Sequence, residues 1–165
     1  MRQGVLRGPR ITAAWALGTL VADQAAKWAV GRWLRPGESV ALVGEVVRLT
    51  HVTNRGAAFG LLEGRYGLFA AATLAMLVLA GVLAARIGTR SSRTLMGLGL
   101  AAGGASGNLV DRLRDGAVLD FIDVAAWPVF NLADTAIVAG VVLLLWHLAR
   151  EAPPTVAPHA DGGES

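Results

Sequence analysis

The chain has 165 residues and a formal net charge of +3; 54% of it is hydrophobic and only 16% charged, with a mean hydropathy of +0.52. A soluble domain of this length needs more polar surface to cover its core, so composition favours an integral membrane protein. There is no cysteine, which excludes disulfides and thiolate metal sites; His51, His147 and His159 are scattered, so neither a metal nor another cofactor is expected.

The basic residues are arginines apart from Lys27, and in a membrane protein they favour anionic lipid headgroups over nucleic acid as partners. After a polar start, residues 11–30 supply one bilayer crossing, for which ~20 apolar residues are needed. A cleavable signal peptide begins in the same way, with Ala22 at its cleavage point, but cutting there leaves residues 23–30 with no helix to join. Asp23 and Lys27, four apart, share a helix face and can pair, either as a structural ion pair near the helix end or as part of a site.

Residues 31–65 are of another kind. Pro36-Gly37 is a turn signal, and Val40–Val52 is rich in β-branched residues with partial alternation, which predicts a small extra-membrane sheet within about 36–60. It runs into Asn54-Arg55-Gly56-Ala57-Ala58-Phe59, where Gly56 allows a tight turn and Asn54 offers both a donor and an acceptor. Residues 66–85 form a second span without charges. Residues 94–110 form a third, with Gly99, Gly103 and Gly107 at four-residue spacing, which lets helix backbones approach closely.

The third span ends in Gly107-Asn108-Leu109-Val110-Asp111-Arg112. Asn108 and Asp111 share a face, although Asp111-Arg112 also reads as a simple membrane–water boundary. Residues 113–128 form a second outer connection carrying Asp115, Asp120 and Asp123, and residues 129–148 form the fourth span, with Asn131 and Asp134 in its first turns. Residues 151–165, rich in Pro and Gly, read as a disordered tail. Basic residues outside the spans tie at seven on each side, so the positive-inside count gives no orientation.

Four spans bring Asn54, Asn108/Asp111/Arg112, Asp120 and Asn131/Asp134 to one membrane face. A carboxylate at membrane depth is expensive and marks a working site. Two close carboxyls share one proton, so one can activate a water while the other hydrogen-bonds a scissile carbonyl. A small proton-coupled carrier or channel subunit is the rival reading; it would spread acidic residues through membrane depth, whereas here they gather at one face.

These residues closely resemble the lipoprotein signal peptidase (signal peptidase II) family of membrane aspartyl proteases. The matching pieces are Asp23-Gln24-Ala25-Ala26-Lys27, Asn54 to Phe59, Gly107 to Arg112, Val118-Leu119-Asp120-Phe121 and Phe130-Asn131-Leu132-Ala133-Asp134, in family order. The resemblance implies four transmembrane helices and a catalytic dyad of Asp120 and Asp134. It implies that Asn54, Gly56, Asn108, Arg112 and Asn131 shape the site or bind substrate, with Asp23, Lys27 and Asp111 in support. The implied substrate is a diacylglyceryl-modified prolipoprotein, cut before its lipidated cysteine by a monomeric enzyme of the bacterial inner membrane. Both termini are then cytoplasmic and the dyad faces outward. The connection between Asp120 and Asp134, expected to cover the substrate, is shorter than in many family members.

Overall fold

The computed structural model describes residues 7–55, 66–87 and 91–151. Its elements run α1 (Arg7–Trp33), β1 (Ser39–Val43), β2 (Val47–Asn54), α2 (Tyr66–Ile87), α3 (Ser92–Asp115), β3 (Val118–Val124), β4 (Trp127–Phe130) and α4 (Leu132–Glu151). Gly56 and its loop neighbours, and residues 152–165, lie outside the described residues.

Each helix starts and stops for a local reason. Pro9 stands in the first turn of α1, where its missing N–H costs nothing. Ser91 caps α3 by accepting the Thr94 N–H, and Gly116 closes it in the left-handed region (φ 68°), its N–H donating to Arg112 O. Asn131 precedes α4: its Oδ1 accepts the Asp134 N–H at 2.9 Å, while its own N–H donates to Asp134 Oδ2 at 3.3 Å. This reciprocal pair is a capping box built from an asparagine and an aspartate.

α3 is the central helix, and its glycines decide which neighbours come close. A Cβ on Gly103 would collide with Ala16 O, and one on Gly99 with the Trp15 side chain, both on α1. On the other side, a Cβ on Gly104 would collide with Ala133 O of α4, and one on Gly97 would lie 2.9 Å from Gly140 O. Two glycine-lined faces therefore seat two helices against one. α2 packs on a third face, with Ala80 and Ala84 against Leu95, Leu98 and Ala102.

The sheet is antiparallel with order β1-β2-β3-β4. Here the sequence expectation needs correcting: the small sheet is not confined to the segment between the first two helices. The second connection supplies half of it, and Val129 and Phe130, assigned above to the fourth span, belong to β4. Val118–Val124 is one β-rich run whose buried residues need a partner edge, and β2 offers it; Pro128, which lacks a ladder donor, sits on the outermost strand. Phe121 of β3 packs with Val30 and Leu34 at the end of α1, fixing the sheet over that end of the bundle.

Among the described residues no helix is long and apolar enough to cross a membrane. The polar groups Asp23, Gln24 and Lys27 interrupt α1, and Asn108 and Asp111 interrupt α3. The outward faces are apolar nonetheless: Leu17 and Val21 on α1, Leu74, Val78 and Leu79 on α2, and Val138, Val142 and Leu145 on α4 are all exposed.

Candidate active site

The β2–β3 register places Val52 opposite Asp120, and Asn54 opposite Val118, on one face of the sheet. A bulge in β2 between Leu49 and Val52 breaks the ladder just before this pair; such bulges re-aim side chains beside functional sites. Leu119 points the other way, and a Cβ on Gly31 of α1 would lie 3.6 Å from it. Asp120 is thereby turned inward, 3% exposed.

Two amides grip its carboxyl. Asn54 Nδ2 donates to Oδ2 at 2.9 Å and Asn131 Nδ2 donates to Oδ1 at 2.6 Å. Asp134, in the first turn of α4, accepts Asn108 Nδ2 on Oδ1 at 2.7 Å and the Asn131 N–H on Oδ2. Asn131, fully buried, thus bonds both aspartates, and its Nδ2 also reaches Asn108 Oδ1 at 3.1 Å.

Behind the amides lies an ion cluster. Lys27 Nζ meets Asp23 Oδ2 at 2.8 Å, Asp111 Oδ2 at 2.7 Å and Asn108 Oδ1 at 2.9 Å. Asp111 is therefore a buried ion-pair partner of α1 rather than a boundary marker, and α3 continues past it to Asp115. Asp23 also accepts the Ala133 N–H at 2.9 Å. Breaking such a pair by removing one partner typically costs ~3–5 kcal/mol, because it strands a buried charge.

Gln24 completes the cluster, and sequence reasoning gave it no role. Its Nε2 donates to Asp111 Oδ1 at 2.8 Å and reaches Gly107 O and Asp23 Oδ2 at 3.3 Å each. The available signal was a third polar residue beside Asp23 and Lys27 in an otherwise apolar helix. Arg112 Nη1 donates to Asn108 O at 3.3 Å, and its guanidinium lies within electrostatic reach of Asp134, Asp120 and Asp111. Of the residues singled out in the sequence, all but Gly56, which is outside the described residues, converge here.

The two carboxyls are not equivalent. Burial pushes the Asp120 carboxyl up from its usual range to about 6, and the charge of Asp134 adds to the rise; hydrogen bonds from Asn54 and Asn131, and the charge of Lys27, oppose it. Asp134 is only half-buried. It borders an apolar cavity of about 410 Å³ that is also lined by Trp127, Phe130, Thr135, Val138 and Ala139. Among the described residues no group of His, Cys, Asp and Glu could hold a metal ion. The arrangement can therefore hold one proton on a buried carboxyl and take another with an accessible one.

Residues 15–150 match the family model described as signal peptidase (SPase) II. The lipoprotein signal peptidase of Pelotomaculum thermopropionicum is 49% identical over 134 residues, covering 80% of this chain and 87% of that protein. The one from Moorella thermoacetica is 46% identical over 135 residues, covering 81% and 89%. A solved bacterial membrane enzyme, determined by the in meso method at 2.3 Å resolution, superposes with a TM-score of 0.80 at 25% identity, covering 93% of both chains. Motifs, fold and overall similarity agree: the chain belongs to the signal peptidase II family.

Proposed function

We propose that the protein is an aspartic endopeptidase of the bacterial membrane that removes the signal peptide from diacylglyceryl-modified prolipoproteins, cutting before the lipidated cysteine. The observation that carries this reading is the pair Asp120 and Asp134, held by a shared set of amide donors and differing in burial. Asp134 accepts a proton from a water as that water attacks the scissile carbonyl carbon. Asp120 donates a hydrogen bond to the carbonyl oxygen, then its proton, as the tetrahedral intermediate forms. Collapse breaks the C–N bond: Asp120 takes back the proton from the intermediate's hydroxyl as the carbonyl re-forms, and the proton on Asp134 passes to the departing amine. No step uses a metal or a covalent nucleophile.

The apolar cavity beside Asp134 gives the substrate's acyl chains or apolar signal segment a place next to the reacting groups. Asn54, Asn108, Arg112 and Asn131 shape the site; Asp23, Lys27 and Asp111 support it from behind. The four helices cross the membrane with their exposed apolar faces toward lipid, polar groups being tolerated where helices bury them against one another. The sheet lies at the non-cytoplasmic surface and both ends of the chain in the cytoplasm. The protein works as a monomer, with membrane lipids and prolipoprotein as its partners.

The test is incubation of the purified protein, in lipid, with a diacylated precursor and with its unlipidated form. Release of the signal peptide from the diacylated form alone is expected. Proton-coupled flux across vesicles without any cleavage would favour the carrier reading instead.

A further inference from the structure

Lys27 reaches the dyad through an intermediary. Its ammonium has three hydrogens and three partners, Asp23, Asp111 and Asn108 Oδ1. An ammonium only donates, so the Asn108 atom facing it is the carbonyl oxygen. The amide of Asn131 is fixed independently, because its Oδ1 accepts the backbone N–H of Asp134, and a backbone N–H cannot reverse its role. Its Nδ2 is left to donate to Asp120 Oδ1 and to Asn108 Oδ1. With its oxygen so engaged, Asn108 presents Nδ2 to Asp134 Oδ1 at 2.7 Å.

We infer that Lys27 is a positioning residue that holds Asn108 in one amide orientation and thereby keeps Asp134 the proton acceptor of the pair. This rests on the dyad reading above. Turned over, Asn108 would put its oxygen against Asp134 Oδ1, and two oxygens at that separation are compatible only with a proton between them. The proton would sit on Asp134, which then could not take one from water. The bond from Lys27 is charge-assisted, a class roughly twice as strong as neutral hydrogen bonds, and it is shorter than the contact from Asn131 (2.9 against 3.1 Å). Among the described residues the charged groups around the pair are Asp23 and Lys27 from α1 and Asp111 and Arg112 from α3, while the sheet contributes Asp120 itself with the neutral Asn54. Among them Lys27 donates to Asn108 Oδ1.

The experiment is the pH dependence of kcat/KM for a diacylated precursor, measured on the lipid-embedded protein, with thermal unfolding of each variant. Lys27→Met combined with Asp111→Asn removes the donor together with one charge of each sign, leaving the net charge of the cluster as it was. Its acidic limb should move up by roughly one pH unit, a tenfold loss on that side, with a smaller loss at the optimum. Lys27→Arg, which keeps donor and charge, should leave the limb in place. A folded double variant with the wild-type limb, or with the same loss at every pH, overturns the assignment. If the double variant does not fold, Asn108→Ala, which leaves Lys27 paired with Asp23 and Asp111, must shift the limb in the same direction; an unmoved limb overturns the assignment equally. Asp134→Asn is the separate control. If it still cuts, the dyad reading fails; if it is inactive while the limb stays put, only the role of Lys27 fails.

Discussion

Asp23 Oδ1 accepts the backbone N–H of Ala133 at 2.9 Å, so a carboxylate in the body of α1 serves a free donor in the first turn of α4, one residue before Asp134. The contact joins residues 110 positions apart and sets where the second catalytic candidate begins its helix. Asp23→Asn and Asp23→Ala both remove the charge facing Lys27, but only the asparagine can keep an acceptor for the Ala133 N–H. The alanine variant should be the less stable of the two by about 1–2 kcal/mol, the usual cost of a lost helix cap, as read by thermal unfolding in lipid. Equal stabilities would mean that the bond to Ala133 contributes nothing.

Asp120→Asn and Asp134→Asn should each be nearly inactive, and the double variant little worse, because residues acting as one unit are strongly non-additive. Insertion should survive, since a lost charge at a buried position costs the fold little. The measurement is uncleaved lipidated precursor set against the amount of inserted enzyme. Near-wild-type cleavage by either single variant sinks the dyad.

Asn54 lowers the Asp120 proton affinity by donating to its carboxyl. Asn54→Ala should therefore raise Asp120 above about 6 and carry the alkaline limb of kcat/KM, where the acid of the coupled pair loses its proton, to higher pH, even as the rate falls. The same rise has a consequence for stability. Because the folded state holds this proton more tightly than the unfolded chain, stability is fully present below the ordinary carboxyl range and declines as pH rises toward 6, by up to about 3 kcal/mol. Asp120→Asn should lack that decline in a pH series of unfolding temperatures.

Gly104→Ala should destabilise the bundle by roughly 1–3 kcal/mol, the range for overpacking. Its new Cβ would meet Ala133 O, a backbone atom with no rotamer to change, and Ile137 Cγ1 at 3.0 Å. Gly18→Ala and Gly81→Ala meet nothing within 4 Å and should be neutral or stabilising by up to ~1 kcal/mol. A Gly104→Ala protein that unfolds at the wild-type temperature would contradict the close α3–α4 contact.

The absence of native cysteine makes single-cysteine labelling a direct test of the proposed orientation. Glu45, exposed between β1 and β2, and Arg150, exposed in the last turn of α4, lie at opposite ends of the bundle in that reading. Glu45→Cys should react with an impermeant maleimide on intact spheroplasts, and Arg150→Cys only after permeabilisation. The reverse pattern would invert the topology.

Much of this was legible in the chain because burying charge is costly. Asp23 with Lys27, and Asn108 with Asp111, stand out against apolar runs, and helical spacing alone puts each pair on one face. What stayed hidden was long-range pairing. Spacing alone left Asp111 open between boundary residue and site support, because its counterion, Lys27, lies on a different helix. Residues 118–128 read as part of an outer connection because a strand edge is recognisable only with its partner, and β2 is more than sixty residues upstream. Val129 and Phe130 read as the start of a span because apolar residues ahead of a helix look the same whether they extend it or precede its cap. Gln24 was overlooked since its three acceptors come together only when α1 meets α3.

The bonds to Asp120 also fix the order in which a growing chain can become an enzyme. One donor, Asn54, is made 66 residues before it and the other, Asn131, 11 residues after. A ribosome that has completed α1, the first hairpin, α2 and α3 has produced Asn54 but not Asp120, Asn131 or Asp134. Only the last helix delivers Asn131 and Asp134 together and draws Asp23 onto its first turn. Under the dyad proposal a chain truncated before α4 should therefore be proteolytically silent, because both carboxyls and their shared donor are present only once α4 has begun.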